Sequence, residues 1–122
     1  MRAHTAFSAL RRTCAAAMLA LPALALAAYP EKPITIIVPF AAGGPTDVLT
    51  RVIAERMARE LAQPMIVENT PGAGGTVGNA RAARAKPDGY TVLAGNVGTL
   101  PASNSFYRQL PYDMHKDFVG LP

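Results

Sequence analysis

A strand, a bare glycine turn and the start of a helix follow one another directly in residues 34–51, ITIIVPFAAGGPTDVLTR. The β-branched run at 34–38 is typical of a buried strand, and Pro39 ends it because proline cannot donate to a strand ladder. Residues 41–44, AAGG, then leave the backbone almost without side chains. This order predicts an α/β fold whose first strand opens onto a bare turn.

Helix-start chemistry follows that turn at once. Pro45 has a fixed φ that suits a first helical turn, Thr46 offers a capping hydroxyl, and Asp47 places a carboxylate at the positive end of the helix dipole. A bare loop that runs into a helix N-terminus exposes backbone N–H groups, which suit an anion. The sequence therefore predicts an anion-binding turn between the first strand and the first helix.

Residues 1–27 are predicted to be a cleavable secretion signal. Three arginines precede an apolar stretch of 16 residues at 13–28, which is shorter than the ~20 residues that a membrane-spanning helix needs. Ala25-Leu26-Ala27 fits the small-x-small cleavage pattern, so we expect cleavage after Ala27, with Ala28 as the alternative. An uncleaved membrane anchor and twin-arginine export fit the residues less well.

Removal of the signal changes the reading of the charge. The chain carries 12 basic and 8 acidic residues, but three of the basic residues lie within 1–27, which leaves nine against eight in residues 28–122. That segment also has no long basic run, so we expect no nucleic-acid partner.

Cys14 is the single cysteine and lies in the signal, so residues 28–122 are expected to contain no disulfide.

The pattern at 46–63 predicts an amphipathic helix that Gln63-Pro64 ends. Glu55 and Arg59 are spaced for an i,i+4 ion pair on its solvated side. Its apolar residues recur at three- and four-residue steps and are expected to face the core: they are Val48, Leu49, Val52, Ile53, Met57 and Leu61.

Two more strands and a second helix are predicted further along. Residues 65–68 form a strand parallel to the first, Thr76 caps a helix at roughly 77–86, and residues 90–94 form a third strand, with a short helix expected within 100–108. Each strand ends in a loop of small residues. In a parallel sheet such loops gather at the carboxyl edge, where ligands of open α/β folds bind.

Nucleotide binding and catalysis find little support in the motifs. The spacing at 72–78 is G-x-G-G-x-x-G, which is not the dinucleotide fingerprint, and no P-loop occurs. No cofactor, metal ligand or catalytic residue is therefore assigned. Asp47 and Glu68 could pair as acid and base in an enzyme, although a helix-start carboxylate and a strand-end polar residue explain them equally well. Hydroxyls and amides at the loops favour binding of a small polar ligand instead: Thr46, Thr76, Thr99, Asn69 and Asn96.

Four blocks in order along the chain carry a family resemblance. They are PITIIVPF at 33–40 with Gly43-Gly44, Asp47 and Arg51; VEN at 67–69 with PGAGGTVG at 71–78; KPDGYT at 86–91; and YD at 112–113 with KDF at 116–118. In these blocks the chain resembles the substrate-binding proteins of tripartite tricarboxylate transporters, often called the Bug family.

The resemblance implies the first lobe of a periplasmic-binding-protein fold (Venus flytrap, type II-like). Family members are considerably longer, so residues 28–122 are expected to form an incomplete N-terminal lobe of a truncated gene product or a fragment. The implied function is capture of a small carboxylate, a di- or tricarboxylate or an aromatic acid, in the periplasm for inner-membrane transporter subunits. A secreted enzyme on an acidic substrate and a periplasmic sensory module are the alternatives.

The resemblance also implies which residues hold the ligand. Asp47 would either bind a donor group of the ligand or orient its loop, and the sequence leaves both roles open. The expected ligand-binding residues are Phe40, Ala41, Ala42, Gly43, Gly44, Thr46, Asp47, Gly72, Ala73, Gly74, Gly75, Thr76, Asn96 and Thr99.

Overall fold

The computed structural model describes residues 29–96, 107 and 109–121. The predicted signal at 1–27, Thr99 and, apart from Tyr107, the helix expected within 100–108 lie outside these residues. The elements are β1 (Ile34–Val38), α1 (Pro45–Leu61), β2 (Met65–Asn69), a short 3₁₀ turn (Ala73–Gly75), α2 (Thr76–Ala83) and β3 (Thr91–Leu93). None of the helices in the described ranges is long and apolar enough to span a membrane.

The three strands form one parallel sheet in the order β2-β1-β3, so the predicted parallel pairing is confirmed. In the central strand, Ile36 pairs with Val67 on one side and with Val92 on the other. The chain crosses from β1 to β2 in one direction and from β2 to β3 in the other. Because such crossovers are right-handed, α1 and α2 lie on opposite faces of the sheet.

The core is concentrated on the central strand. Ile34, Ile36 and Val38 point to the α1 face and Ile37 to the α2 face, and none is more than 3% exposed. A strand that helices cover on both faces typically has a continuous apolar sequence, and the β-branched run at 34–38 has this character. The first strand is thus where the pattern at 34–38 predicts it.

Neither helix is capped by the threonine that the sequence suggested. Gly44 is the N-cap of α1 and Gly75 is the N-cap of α2, and no side chain caps either helix. Thr46 and Thr76 lie inside the helices, two residues and one residue after the respective N-caps. At the start of α1 the carboxylate of Asp47 instead accepts a hydrogen bond from the backbone N–H of Gly43, at 2.8 Å.

The predicted buried face of α1 is wrong. Its buried residues are Asp47, Thr50 and Ala54, whereas most of the expected apolar positions are exposed. Small and polar side chains let the helix approach the sheet closely, and the hydrogen bonds that the Asp47 carboxylate accepts fix which side faces inward. The exposed apolar residues are Val48, Leu49, Val52 and Ile53. The predicted Glu55–Arg59 ion pair is present at 2.7 Å.

Two tyrosines fasten the flanking segments to this α/β unit. Tyr112, which is 7% exposed, accepts a hydrogen bond from Asn79 Nδ2 of α2 at 3.0 Å and packs edge-on against Phe118. Tyr29 Oη donates to the carbonyl of Gly89 at 2.6 Å, before the start of β3. The segments before β1 and after residue 108 therefore pack on opposite ends of the unit.

Candidate functional site

Loops leave the carboxyl edge of the sheet from each strand: loop 1 (39–44) after β1, loop 2 (70–75) after β2, and loop 3 (94–96) after β3. Two backbone hydrogen bonds tie the neighbouring loops to the central strand. Thr70 N–H donates to Val38 O at 2.8 Å, and Ala94 N–H donates to Ile37 O at 2.9 Å. The edge predicted to carry the site therefore exists, with loop 1 in the middle.

A glycine brings loops 1 and 2 together. A Cβ atom on Gly78 would lie 2.8 Å from Pro39 Cβ and 2.9 Å from Thr70 O, closer than such atoms approach. The first turn of α2 therefore sits directly against the end of β1. This explains the last glycine of the PGAGGTVG block as a packing residue.

Asp47 organises loop 1 from the buried side. It is 2% exposed. Its Oδ2 accepts hydrogen bonds from Gly43 N–H at 2.8 Å and Arg51 Nε at 3.0 Å, and its Oδ1 accepts one from Asn69 Nδ2 at 2.9 Å. Arg51, the Gly43 amide and Asn69 lower the pKa of Asp47 from its ordinary 3.8 to about 2. Of the two roles left open by the sequence, these contacts support the one in which Asp47 orients its loop.

Asn69 connects β2 to the same loop. Its Nδ2 also donates to the carbonyl of Phe40 at 3.1 Å, and its Oδ1 accepts a hydrogen bond from Arg51 Nη2 at 3.0 Å. The sequence suggested that the Asn69 amide serves a ligand, whereas here both its hydrogens go to protein acceptors. The i,i+4 spacing of Asp47 and Arg51 is the sequence signal for the contact between these two side chains.

The outer parts of loops 1 and 2 expose their backbone. Residues 41–43 and 72–74 are exposed, and the φ angles of Gly43, Gly72 and Gly74 are positive, at 81°, 137° and 62°. Such backbone, free of large side chains, can offer N–H groups to an anion. The N–H of Gly43 is the exception, because it donates to Asp47. Phe40 and Gly44 of loop 1 and Thr46 in the first turn of α1 are half-buried.

Gly75 and Thr76 face inward at the base of loop 2. Both are buried. Gly75 N–H donates to Gly72 O at 2.9 Å, and Thr76 donates its N–H and its hydroxyl to Ala73 O. These groups shape the loop. In loop 3 the described residues end at Asn96, which is exposed.

One residue at loop 2 was missed by the sequence analysis. Tyr107 Oη donates to the carbonyl of Ala73 at 3.0 Å, and the tyrosine is 40% exposed. A separation of 34 residues in the sequence gives no local signal for this contact. The hydroxyl was therefore brought to the loop by tertiary structure alone.

The acid–base pair considered for an enzyme does not form. Asp47 meets Asn69 on the α1 face, whereas the preceding residue Glu68 points to the other face and pairs with Arg81 of α2. The suggested pairing of these two carboxylates is therefore wrong. The groove beside this ion pair has a volume of about 280 Å³ and lies under α2, and it is lined by Thr35, Ile37, Glu68, Arg81, Arg84, Ala85 and Thr91. In the part of the chain that the structure describes, no group of three or more metal-ligating side chains occurs.

In open parallel α/β folds, ligands bind at the carboxyl edge of the sheet, which is where this unit carries its bare loops. The sequence profile of the tripartite tricarboxylate transporter family receptor matches residues 49–121. The chain therefore belongs to this receptor family.

Curated relatives agree with this assignment. A UPF0065 protein of Agrobacterium vitis is 45% identical over 95 residues, which cover 76% of this chain and 27% of that protein. The BugT protein of Bordetella pertussis is 41% identical over 94 residues, which cover 76% of this chain and 29% of BugT. The chain thus spans less than a third of the length of these relatives.

Solved structures agree with the fold. MatC from Rhodopseudomonas palustris, solved with bound malate, is 46% identical with a TM-score of 0.70, covering 74% of this chain and 31% of MatC. A second protein from R. palustris, solved with adipate, is 31% identical with a TM-score of 0.64, covering 72% of this chain and 29% of that protein. The α/β unit described here is thus part of a periplasmic-binding-protein fold, as the sequence predicted.

Proposed function

We propose that this protein captures a small dicarboxylate in the periplasm and presents it to the inner-membrane subunits of a tripartite tricarboxylate-type transporter. Loops 1 and 2 hold one carboxylate of the ligand through their backbone N–H groups. Export depends on the signal at 1–27, cleaved after Ala27. No nucleic acid and no cofactor takes part.

The observation that carries the proposal is the arrangement of two exposed glycine-containing segments side by side. Residues 41–43 and 72–74 lie at one edge of the sheet, and Gly78 and Asn69 hold their loops together. Neither segment itself contains a carboxylate, and the one that contacts loop 1, Asp47, is buried and paired with Arg51. Two family structures with this fold were solved with the dicarboxylates malate and adipate.

Isothermal titration calorimetry on the full-length protein tests the proposal. We expect saturable binding of malate or adipate and no binding of the corresponding dimethyl esters, because the esters lack the charge that the loop amides recognise. Absence of binding by both acids at millimolar concentration contradicts the proposal. Equal binding of acids and esters contradicts it as well.

Variants then locate the binding site. Asn69→Ala removes the hydrogen bonds that hold loop 1, so we expect the Kd of the bound acid to rise about tenfold. Arg59→Ala is the control, because it removes an exposed ion pair far along α1 and should leave the Kd within twofold. Equal effects of the two variants would place the site elsewhere.

A further inference from the structure

One carbonyl of loop 2 is held by three donors. The oxygen of Ala73 accepts hydrogen bonds from the backbone N–H of Thr76, from the Thr76 hydroxyl at 3.0 Å, and from Tyr107 Oη at 3.0 Å. The first two donors belong to the loop and its helix, whereas Tyr107 comes from a distant part of the chain. The direction of this carbonyl is therefore fixed by tertiary structure as well as by the local turn.

The backbone around this carbonyl needs support. Ala73 has a φ of 45°, in the left-handed region, where a residue with a Cβ atom is disfavoured. The next residue, Gly74, has a φ of 62°, and a Cβ atom on it would lie 2.9 Å from Tyr107 Oη. Only glycine at position 74 leaves room for the hydroxyl of Tyr107. The absence of a side chain at Gly74 thus allows Tyr107 Oη to reach the Ala73 carbonyl.

The hydrogen bond from Tyr107 to the Ala73 carbonyl also determines where the next backbone N–H, that of Gly74, points. In a planar trans peptide the carbonyl and the following N–H point in opposite directions. The Ala73–Gly74 peptide is trans, and its carbonyl points towards Thr76 and Tyr107. The N–H of Gly74 therefore points away from them, in a segment that is exposed.

We propose that Tyr107 is a positioning residue of the binding site. By holding the Ala73 carbonyl, its hydroxyl aims the Gly74 N–H at a carboxylate of the bound ligand. The ligand part of this inference rests on the proposed function, whereas the control of the peptide by Tyr107 stands on the geometry alone. The side chain of Tyr107 need not touch the ligand for this effect.

Tyr107→Phe in the full-length protein tests the proposal because it removes the hydroxyl and keeps the ring. Tyr29→Phe is a matched control, since Tyr29 Oη also donates to a backbone carbonyl, that of Gly89, before β3 and away from the loops. The first measurement is the ¹³C chemical shift of the Ala73 carbonyl, which responds to the hydrogen bonds it accepts. The second is the Kd for malate and adipate by calorimetry.

We expect Tyr107→Phe to shift the Ala73 carbonyl resonance and to raise the Kd about three- to tenfold, the effect of one lost hydrogen bond. Tyr29→Phe should shift the Gly89 carbonyl resonance and leave the Kd within twofold. An unchanged Ala73 resonance, or an unchanged Kd in Tyr107→Phe when the unsubstituted protein binds, overturns the proposal. Failure of the unsubstituted protein to bind either acid contradicts the proposed function, and the Ala73 resonance still decides whether Tyr107 controls the peptide.

Discussion

At the scale of single residues, one carboxylate shapes loop 1. Asp47 is almost fully buried, yet it stays charged because three donors surround it: Arg51, Asn69 and the Gly43 amide. A buried carboxylate with such partners is stabilised in its ionised form. Its sequence position at a helix start suggested an interaction with the dipole, and the structure adds the two side chains that reach it.

The lowered pKa of Asp47 predicts how stability depends on pH. A group with a lower pKa in the folded state stabilises the protein above its unfolded pKa, and that stability is lost as the pH falls through the folded pKa. For Asp47 the window runs from about pH 4 down to about pH 2. The free energy of unfolding should therefore decrease across this window.

Asp47→Asn isolates this contribution. Urea unfolding of both proteins at pH 6, 4, 3 and 2 should show a difference in unfolding free energy that is largest at pH 6 and shrinks towards pH 2. The pKa values of Asp88 and Asp113 are also lowered, by backbone amides of Tyr90 and His115, and they affect both proteins alike. A difference independent of pH would show that Asp47 is not ionised in this network.

At the scale of elements, the first turn of α2 is positioned by the absence of a side chain. Gly78 lets the helix start against the end of β1, with Pro39 Cβ and Thr70 O within 3 Å of where its Cβ would be. Both contacts involve rigid groups that cannot rotate away. The helix was predicted from its sequence, whereas its close packing beside loop 1 depends on Pro39 and Thr70, which belong to two other segments.

Gly78→Ala should therefore reverse the usual effect of this substitution. In an unhindered helix interior, alanine in place of glycine stabilises by about 1 kcal/mol. Here the added Cβ overlaps Pro39 and the Thr70 carbonyl, so we expect a net loss of about 1–3 kcal/mol in the free energy of unfolding by urea. Gly120→Ala is the control, since its Cβ would meet nothing within 4 Å and should change stability little. A stabilised Gly78→Ala protein would contradict the close contact.

At the scale of the whole molecule, the large apolar side chains that are buried among the described residues are concentrated on the central strand. Its side chains are buried by α1 on one face and by α2 on the other, whereas β2 and β3 are edge strands of the described sheet. The long α1 contributes mostly small and polar buried residues, and much of its apolar surface is exposed. The buried core is therefore narrow and centred on β1.

Two isoleucines of the same sheet test this distribution. Ile36 on β1 is 3% exposed, and Ile66 on β2 is 46% exposed. Ile36→Ala should lower the unfolding free energy by about 2–5 kcal/mol through lost burial and a residual cavity. Ile66→Ala, the control, should cost about 1 kcal/mol or less. Urea unfolding followed by circular dichroism compares them, and similar losses would contradict a core centred on β1.

The sequence by itself determined the order of the elements, their parallel pairing and the place of the loops. Strand periodicity, proline and glycine act over a few residues, and right-handed crossovers then leave few topologies. The family blocks pointed to the same fold.

Only the tertiary structure decided which side of α1 is buried and what holds the loops. The inward side of α1 follows from contacts such as Asp47 with Asn69, 22 residues apart, and these override the apolar spacing of the helix. The contact of Tyr107 with Ala73 likewise joins residues that no local pattern relates. Hydrogen bonds between distant segments depend on where the whole chain places them, so the shapes of loops 1 and 2 emerge only in the folded protein.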